Sequence, residues 1–142
     1  MARVDFYVLK ASGGSARDSF ACRLAEKAYR LKNSVHIHAE NQQNAKRLDE
    51  LLWTFRDGSF VPHEIVETHT PDSAAPVTIG SDPDSQRKCD LLINLGDAVP
   101  KSAAEFGRIA EIVSADDESK TQSRNRFVQY RDDGHTLETH KL

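Results

Sequence analysis

Cys89-Asp-Leu-Leu-Ile-Asn-Leu95 is a nearly continuous apolar run. A strand wetted on one face alternates polar and apolar residues, whereas this run leaves little room for water on either side. It therefore predicts a strand of a parallel sheet covered on both faces, at the centre of that sheet. Every parallel partner needs a crossover connection, so helices should alternate with strands along the rest of the chain.

They do on the N-terminal side. Val4-Asp-Phe-Tyr-Val-Leu9 has the β-branched and aromatic content of a strand, and Ala11-Ser-Gly-Gly14 ends it with a turn. Ser15 can cap a following helix, with Asp18 at its positive end and an apolar repeat at Ala21, Leu24, Ala25, Ala28 and Leu31, ending near Lys32 or Asn33. Val35-His-Ile-His-Ala39 is a second strand, and Asn41 can cap a second helix with the stripe Ala45, Leu48, Leu51, Leu52, Phe55. Gly58-Ser59 ends that helix, and Pro62 keeps the next segment out of a central strand. Thr68–Pro76 and Gly80–Lys88 are expected to be loops around a brief edge strand, Val77-Thr-Ile79. Beyond the central run, Ser102–Phe106 predicts a short helical stretch and Arg108–Val113 a strand. Asp116 or Asp117 can cap a last helix to about Arg131, with Gly134 at its exit. The sum is one Rossmann-like or flavodoxin-like α/β domain over residues 1–142, three-layered, with a mostly parallel sheet and helices on both faces.

Composition agrees with such a domain. Of 142 residues, 38% are hydrophobic and 29% charged, and no apolar run approaches the ~20 residues of a membrane span. Asp5 interrupts what would be the apolar part of a signal peptide, so a soluble, cytoplasmic protein is expected. Cys22 and Cys89 form no C-x-x-C pair and read as buried, reduced thiols. The net charge of -3 argues against a surface that grips nucleic acid all over. Between Lys120 and Arg131, however, lie four basic residues and no acidic one, a local +4 that leaves -7 on the remainder.

Patterns for catalysis are incomplete. Gly13-Gly14 sits where related folds hold phosphate, but neither G-x-G-x-x-G nor G-x-x-x-x-G-K-[ST] is present. Gly13-Gly14-Ser15-Ala16-Arg17 departs from a nucleophile elbow at Arg17. His36 and His38 share one face of a strand without further ligands, which favours surface or edge histidines. His63-Glu64 with His69 has the wrong spacing for H-E-x-x-H zinc. No cofactor and no metal are expected.

Two apolar features remain. Trp53, Phe55, Phe60 and Val61 cluster around a helix end and a proline turn, in a composition suited to anchoring a protein partner as well as to core packing. Lys120, Arg124, Phe127 and Arg131 fall on one stripe of the last helix, a pattern that fits an acidic peptide, or phosphates with a stacked base.

These residues together resemble the chi-subunit family of the bacterial DNA polymerase III holoenzyme, small clamp-loader accessory subunits. The carriers are Val4-Asp-Phe-Tyr-Val-Leu9, Arg47-Leu-Asp-Glu-Leu-Leu-Trp53, Ser59-Phe-Val-Pro-His63, Asp90-Leu-Leu-Ile-Asn-Leu95 and Lys120-x3-Arg124-x-Arg126-Phe127-x2-Tyr130-Arg131. The resemblance implies a noncatalytic adaptor in DNA replication, polymerase activity belonging to the holoenzyme. It implies that Trp53, Phe60, Val61, Pro62 and His63 bind the psi subunit of the clamp loader. It further implies that Lys120 and Arg124 bind the carboxylates of the acidic, Phe-terminated tail of single-stranded DNA-binding protein, with Val113 and Phe127 on the apolar side. Contact with nucleic acid would then be indirect. The family carries tyrosine where this chain has Phe127, so a hydroxyl hydrogen bond is lost there while the apolar contact is kept. Nothing is carried over onto Glu64–Lys88 or Glu138–Leu142. The alternative reading is a module that binds single-stranded nucleic acid directly through the basic C-terminal helix.

Overall fold

The computed structural model describes residues 2–55, 58, 60–66, 75–82, 89–100 and 103–142. In chain order the elements are β1 (Arg3–Val8), α1 (Gly14–Arg30), β2 (Val35–His38), α2 (Gln42–Thr54), β3 (His63–Ile65), β4 (Val77–Gly80), β5 (Leu91–Asn94), a 3-10 turn at Ala103–Glu105, β6 (Arg108–Val113), α3 (Asp117–Asp132) and β7 (Thr136–Lys141). The strands form a seven-stranded parallel sheet in the order β3-β4-β2-β5-β6-β1-β7. This is a Rossmann-like three-layer arrangement. The central run at 91–94 is the fourth strand of seven, and its alternate side chains explain the lack of polar interruption. Leu91 and Ile93 join the core under α1 and α2, while Leu92 joins the core under α3.

Asn41 caps α2 as expected, its carboxamide oxygen accepting from the Asn44 N–H at 2.8 Å. Gly134 leaves α3 at φ 87°, where a side chain would be strained, and its N–H returns to the Arg131 carbonyl. At α1, Gly13 rather than Ser15 is the N-cap, with φ 94°. Asp18 is buried and serves tertiary structure instead, binding Arg47 of α2 at 2.8 Å.

Four expectations are corrected. Val77-Thr-Ile79 is not an edge strand, because β3 adds outside it. Pro62, with no N–H to donate, stands immediately before that three-residue edge. The C-terminal segment from Thr136 forms an unforeseen edge strand, β7. His36 and His38 are buried rather than at a surface: the His36 ring lies 2.7 Å from the Thr78 hydroxyl, and a side chain at Gly96 would collide with the His38 ring. Gly80, expected to open a loop, closes β4 instead, and the parts of the expected loops at 68–74 and 83–88, together with His69, Ser59 and Ser102, lie outside the described residues.

Cys22 and Cys89 are free, and burial pushes their thiols up to about 12, which leaves them weakly nucleophilic. Asp5, on β1, faces the side of the sheet that carries α1. Burial works to raise its pKa, but hydrogen bonds from His140, Arg108 and Arg3 outweigh it and hold Asp5 below the ordinary carboxylate value. A depressed acid stabilises the fold above its unfolded pKa, and that contribution is lost as pH falls through the folded value. Asp5→Asn should therefore lower the urea midpoint at pH 7, and the deficit should close on acidification below roughly pH 4.

Candidate protein-binding surfaces

The basic run of α3 divides in two once the helix is laid on the sheet. Arg126 points inward. Its Nε donates to Glu111 Oε1 at 3.1 Å, and its other nitrogen reaches the Asp97 carbonyl. Glu111 comes from β6, opposite Asn94 in the register, and also accepts from the Asn94 amide at 2.8 Å and the Tyr130 hydroxyl at 2.7 Å. Its side chain is completely enclosed. Burial pushes the Glu111 carboxyl up, against the pull of Arg126, Tyr130 and Asn94, which favour the ionised form.

Arg131 is exposed and leans on the neighbouring Asp132 at 3.5 Å. Lys120 and Arg124 have no acidic partner among the described residues. Of the four cations in the run, these two are left for a ligand. On the same stripe of α3 follows Phe127, half-buried, with its ring 5.3 Å from that of Phe6. Val113, at the end of β6, is only 3% exposed and belongs to the cluster on which Phe127 packs. It forms the floor beneath that ring more than a surface of its own.

The second patch lies at the C-terminal end of α2, where the chain turns into edge strand β3. Trp53 is 52% exposed and Phe60 64%, with ring centres 5.7 Å apart. Leaving two large rings more than half in water forfeits part of a burial worth about 1.5–3 kcal/mol each, which makes the pair a candidate docking surface. The other members of the sequence-predicted group serve it from below. Val61 is core, Pro62 is half-buried, and the enclosed His63 ring packs at a tilt against Trp53, ring centres 4.5 Å apart. The His63 nitrogens lie 2.6 Å from the Val61 carbonyl and 3.0 Å from that of Asp49, pinning the turn to α2. Phe55 packs partly into the core.

The two patches stand apart. Helix α2 packs on β3 and β4 at one end of the sheet, whereas α3 packs on β6 and β7, on the opposite face at the other end.

The crevice at the carboxyl ends of the strands, where such folds bind nucleotides, is occupied by the chain itself. The Gly13 N–H donates to Asp116 Oδ1 at 2.9 Å, so a carboxylate of the loop before α3 takes the anion position at the start of α1. Arg17 reaches across to the carbonyls of Ile112 and Leu95, at the ends of β6 and β5. Asp116 therefore turns its carboxylate away from α3, which begins without a side-chain cap bond. Among the described residues, no group of three or more histidines, cysteines or carboxylates is placed to hold a metal ion, and no helix is long and apolar enough to cross a membrane.

The same fold is found in the crystal structure of T4 UvsW, with a TM-score of 0.68 and 7% identity over 99% of this chain and 41% of that one. Sequence comparison reaches further. Over 142 residues the chain is 39% identical to DNA polymerase III subunit chi of Pseudomonas aeruginosa, covering 100% of this chain and 98% of that protein. The corresponding protein of Haemophilus influenzae is 34% identical over 139 residues, 96% and 95% of the two chains. That of Escherichia coli is 33% identical over 144 residues, 98% and 97%. A family model described as DNA polymerase III chi subunit, HolC, matches residues 1–138. With that match over nearly the whole length, the chain belongs to the family of DNA polymerase III chi subunits, accessory proteins of bacterial DNA replication.

Proposed function

We propose that this chain is a noncatalytic adaptor of the clamp-loader complex, which ties the psi subunit to the acidic C-terminal tail of single-stranded DNA-binding protein. The tail site consists of Lys120, Arg124, Phe127 and Val113. The psi site consists of Trp53 and Phe60, with Val61, Pro62 and His63 supporting them. The observation that supports the reading is that Lys120 and Arg124 alone in the basic run lack an acidic partner among the described residues, and that both share one stripe of α3 with the half-buried Phe127. Two cations beside an apolar slot match a peptide that ends in carboxylates and a phenyl ring. Placement of the two patches on opposite faces leaves both partners room at once.

Calorimetric titration of the tail peptide into the whole protein tests this. Binding should be measurable at low salt, weaken as salt rises, and fall by about 1.5–3 kcal/mol, tenfold or more, in Arg124→Ala. No binding at low salt, or unchanged binding in Arg124→Ala, sinks the tail site. Tight, salt-dependent binding of a single-stranded oligonucleotide to the same helix would favour direct nucleic-acid contact instead.

A further inference from the structure

Helix α1 buries Ala21, Cys22, Ala25 and Ala28 against the sheet, and its outer side is also apolar in part. Phe20, Leu24 and Leu31 line an open groove of about 480 Å³ together with Arg23, Lys27 and Arg30. A smaller groove of about 250 Å³ shares Leu24, Lys27 and Leu31 and continues to Tyr7 and Arg108. Leu31, the helix C-cap, is 66% exposed, more than any other large hydrophobic side chain among the described residues. A lone exposed leucine is ordinary. This one forms the wall of a groove that two further apolar side chains enter.

The rim is mainly cationic, with Arg23, Lys27, Arg30 and Arg108 against Glu26 and Asp90. Arg23 and Lys27 have no acidic partner among the described residues, and the exposed Arg30 lies 3.7 Å from the buried Glu26 carboxylate. Cations in the last turn of a helix offset its dipole, which accounts for Lys27 and Arg30. It accounts for neither Arg23, two turns from the end, nor the exposed Leu31. We infer that this face of α1 is a docking surface, distinct from the two above, for an acidic peptide segment that carries leucine or phenylalanine side chains. Its carboxylates would meet Arg23 and Lys27, and its apolar side chains would cover Leu24 and Leu31. The chemistry favours peptide over nucleic acid. The Phe20 ring is engaged by Tyr7 at 5.3 Å and offers no free platform for a base, whereas the exposed Leu31 and the half-buried Leu24 call for aliphatic or aromatic side chains that a nucleic-acid backbone lacks.

The test uses the isotope-labelled whole protein and a synthetic amphipathic peptide of glutamates with leucine at every third and fourth place, titrated at low salt and followed by amide chemical shifts. Shifts confined to Phe20–Lys32 are expected. Binding should weaken about tenfold in Arg23→Glu and likewise in Leu31→Ser, with melting temperatures nearly unchanged because both side chains are exposed and Arg23 lies outside the last turn, and it should be untouched in Arg124→Ala. Absence of binding, shifts that map to α3 instead, or an oligonucleotide that moves the same amides at lower concentration would each overturn the inference.

Discussion

Replacing Glu111 by alanine should cost about 3–5 kcal/mol of folding free energy, which for a chain of this size lowers the melting temperature by about 10–15 °C. The reason is the fate of Arg126. Its guanidinium is almost wholly enclosed, and Glu111 is its one carboxylate partner among the described residues. Without that partner a cation remains buried and uncompensated, while the Tyr130 hydroxyl loses its acceptor and the Asn94 amide keeps only the Ala98 carbonyl. Arg126→Leu should hurt comparably, by stranding the carboxylate. The double variant Glu111→Leu with Arg126→Leu should recover part of the loss, since no charge is then left alone in the core. Calorimetric unfolding of the four proteins decides it, and additive single effects would refute the coupling. The same network seats α3 on β6, so Glu111→Ala should also weaken the tail peptide, although no atom of Glu111 is exposed to it.

Trp53→Ala combined with Phe60→Ala should weaken binding of the psi subunit by about 4 kcal/mol, roughly a thousandfold, while leaving the melting temperature nearly unchanged. Interface energy concentrates in a few aromatic anchors, and in this region the two rings are the large apolar groups that the fold leaves in solvent. Their removal opens no cavity in the core. His63→Ala should behave differently. It removes a packed ring that ties Val61 to Asp49, so both stability and psi binding should fall together. Titration of purified psi subunit against the wild-type and variant proteins measures both effects. Undiminished binding in the double variant would remove the patch from the adaptor scheme.

The central strand is legible from its unbroken apolar run, α1 and α2 from their apolar stripes, and α3 from the acidic cap residues and the glycine that bracket it. The failures have particular causes. Residues 136–141 alternate weakly, Thr-Leu-Glu-Thr-His-Lys, and only pairing with β1 makes them a strand. Val77-Thr-Ile79 looked like an edge because it is short, yet length says nothing of order in the sheet. His36 and His38 looked like surface groups because imidazole is polar, but a strand third in the sheet buries both. Of the candidate site, the cations on one stripe of α3 are visible from helical spacing alone. What spacing does not show is that Arg126 turns inward to a carboxylate fifteen residues earlier, or that Val61 and His63 lie beneath the patch formed by Trp53 and Phe60. A polar residue inside a β-branched strand, Glu111 in Arg108–Val113, was the available sign of a buried ion pair.

The all-parallel order of the sheet gives the adaptor a mechanical character. Partners attached at α2 and at α3 would pull on opposite flanks, so tension would run crosswise over successive strands and strain the ladders in sequence, as in unzipping, rather than shearing them together. The weakest rung is then β3, three residues long and paired with β4 alone. Under a steady pull the molecule should yield first at that margin, where the Trp53 patch is rooted, and the six-strand remainder would keep its hold on the other partner.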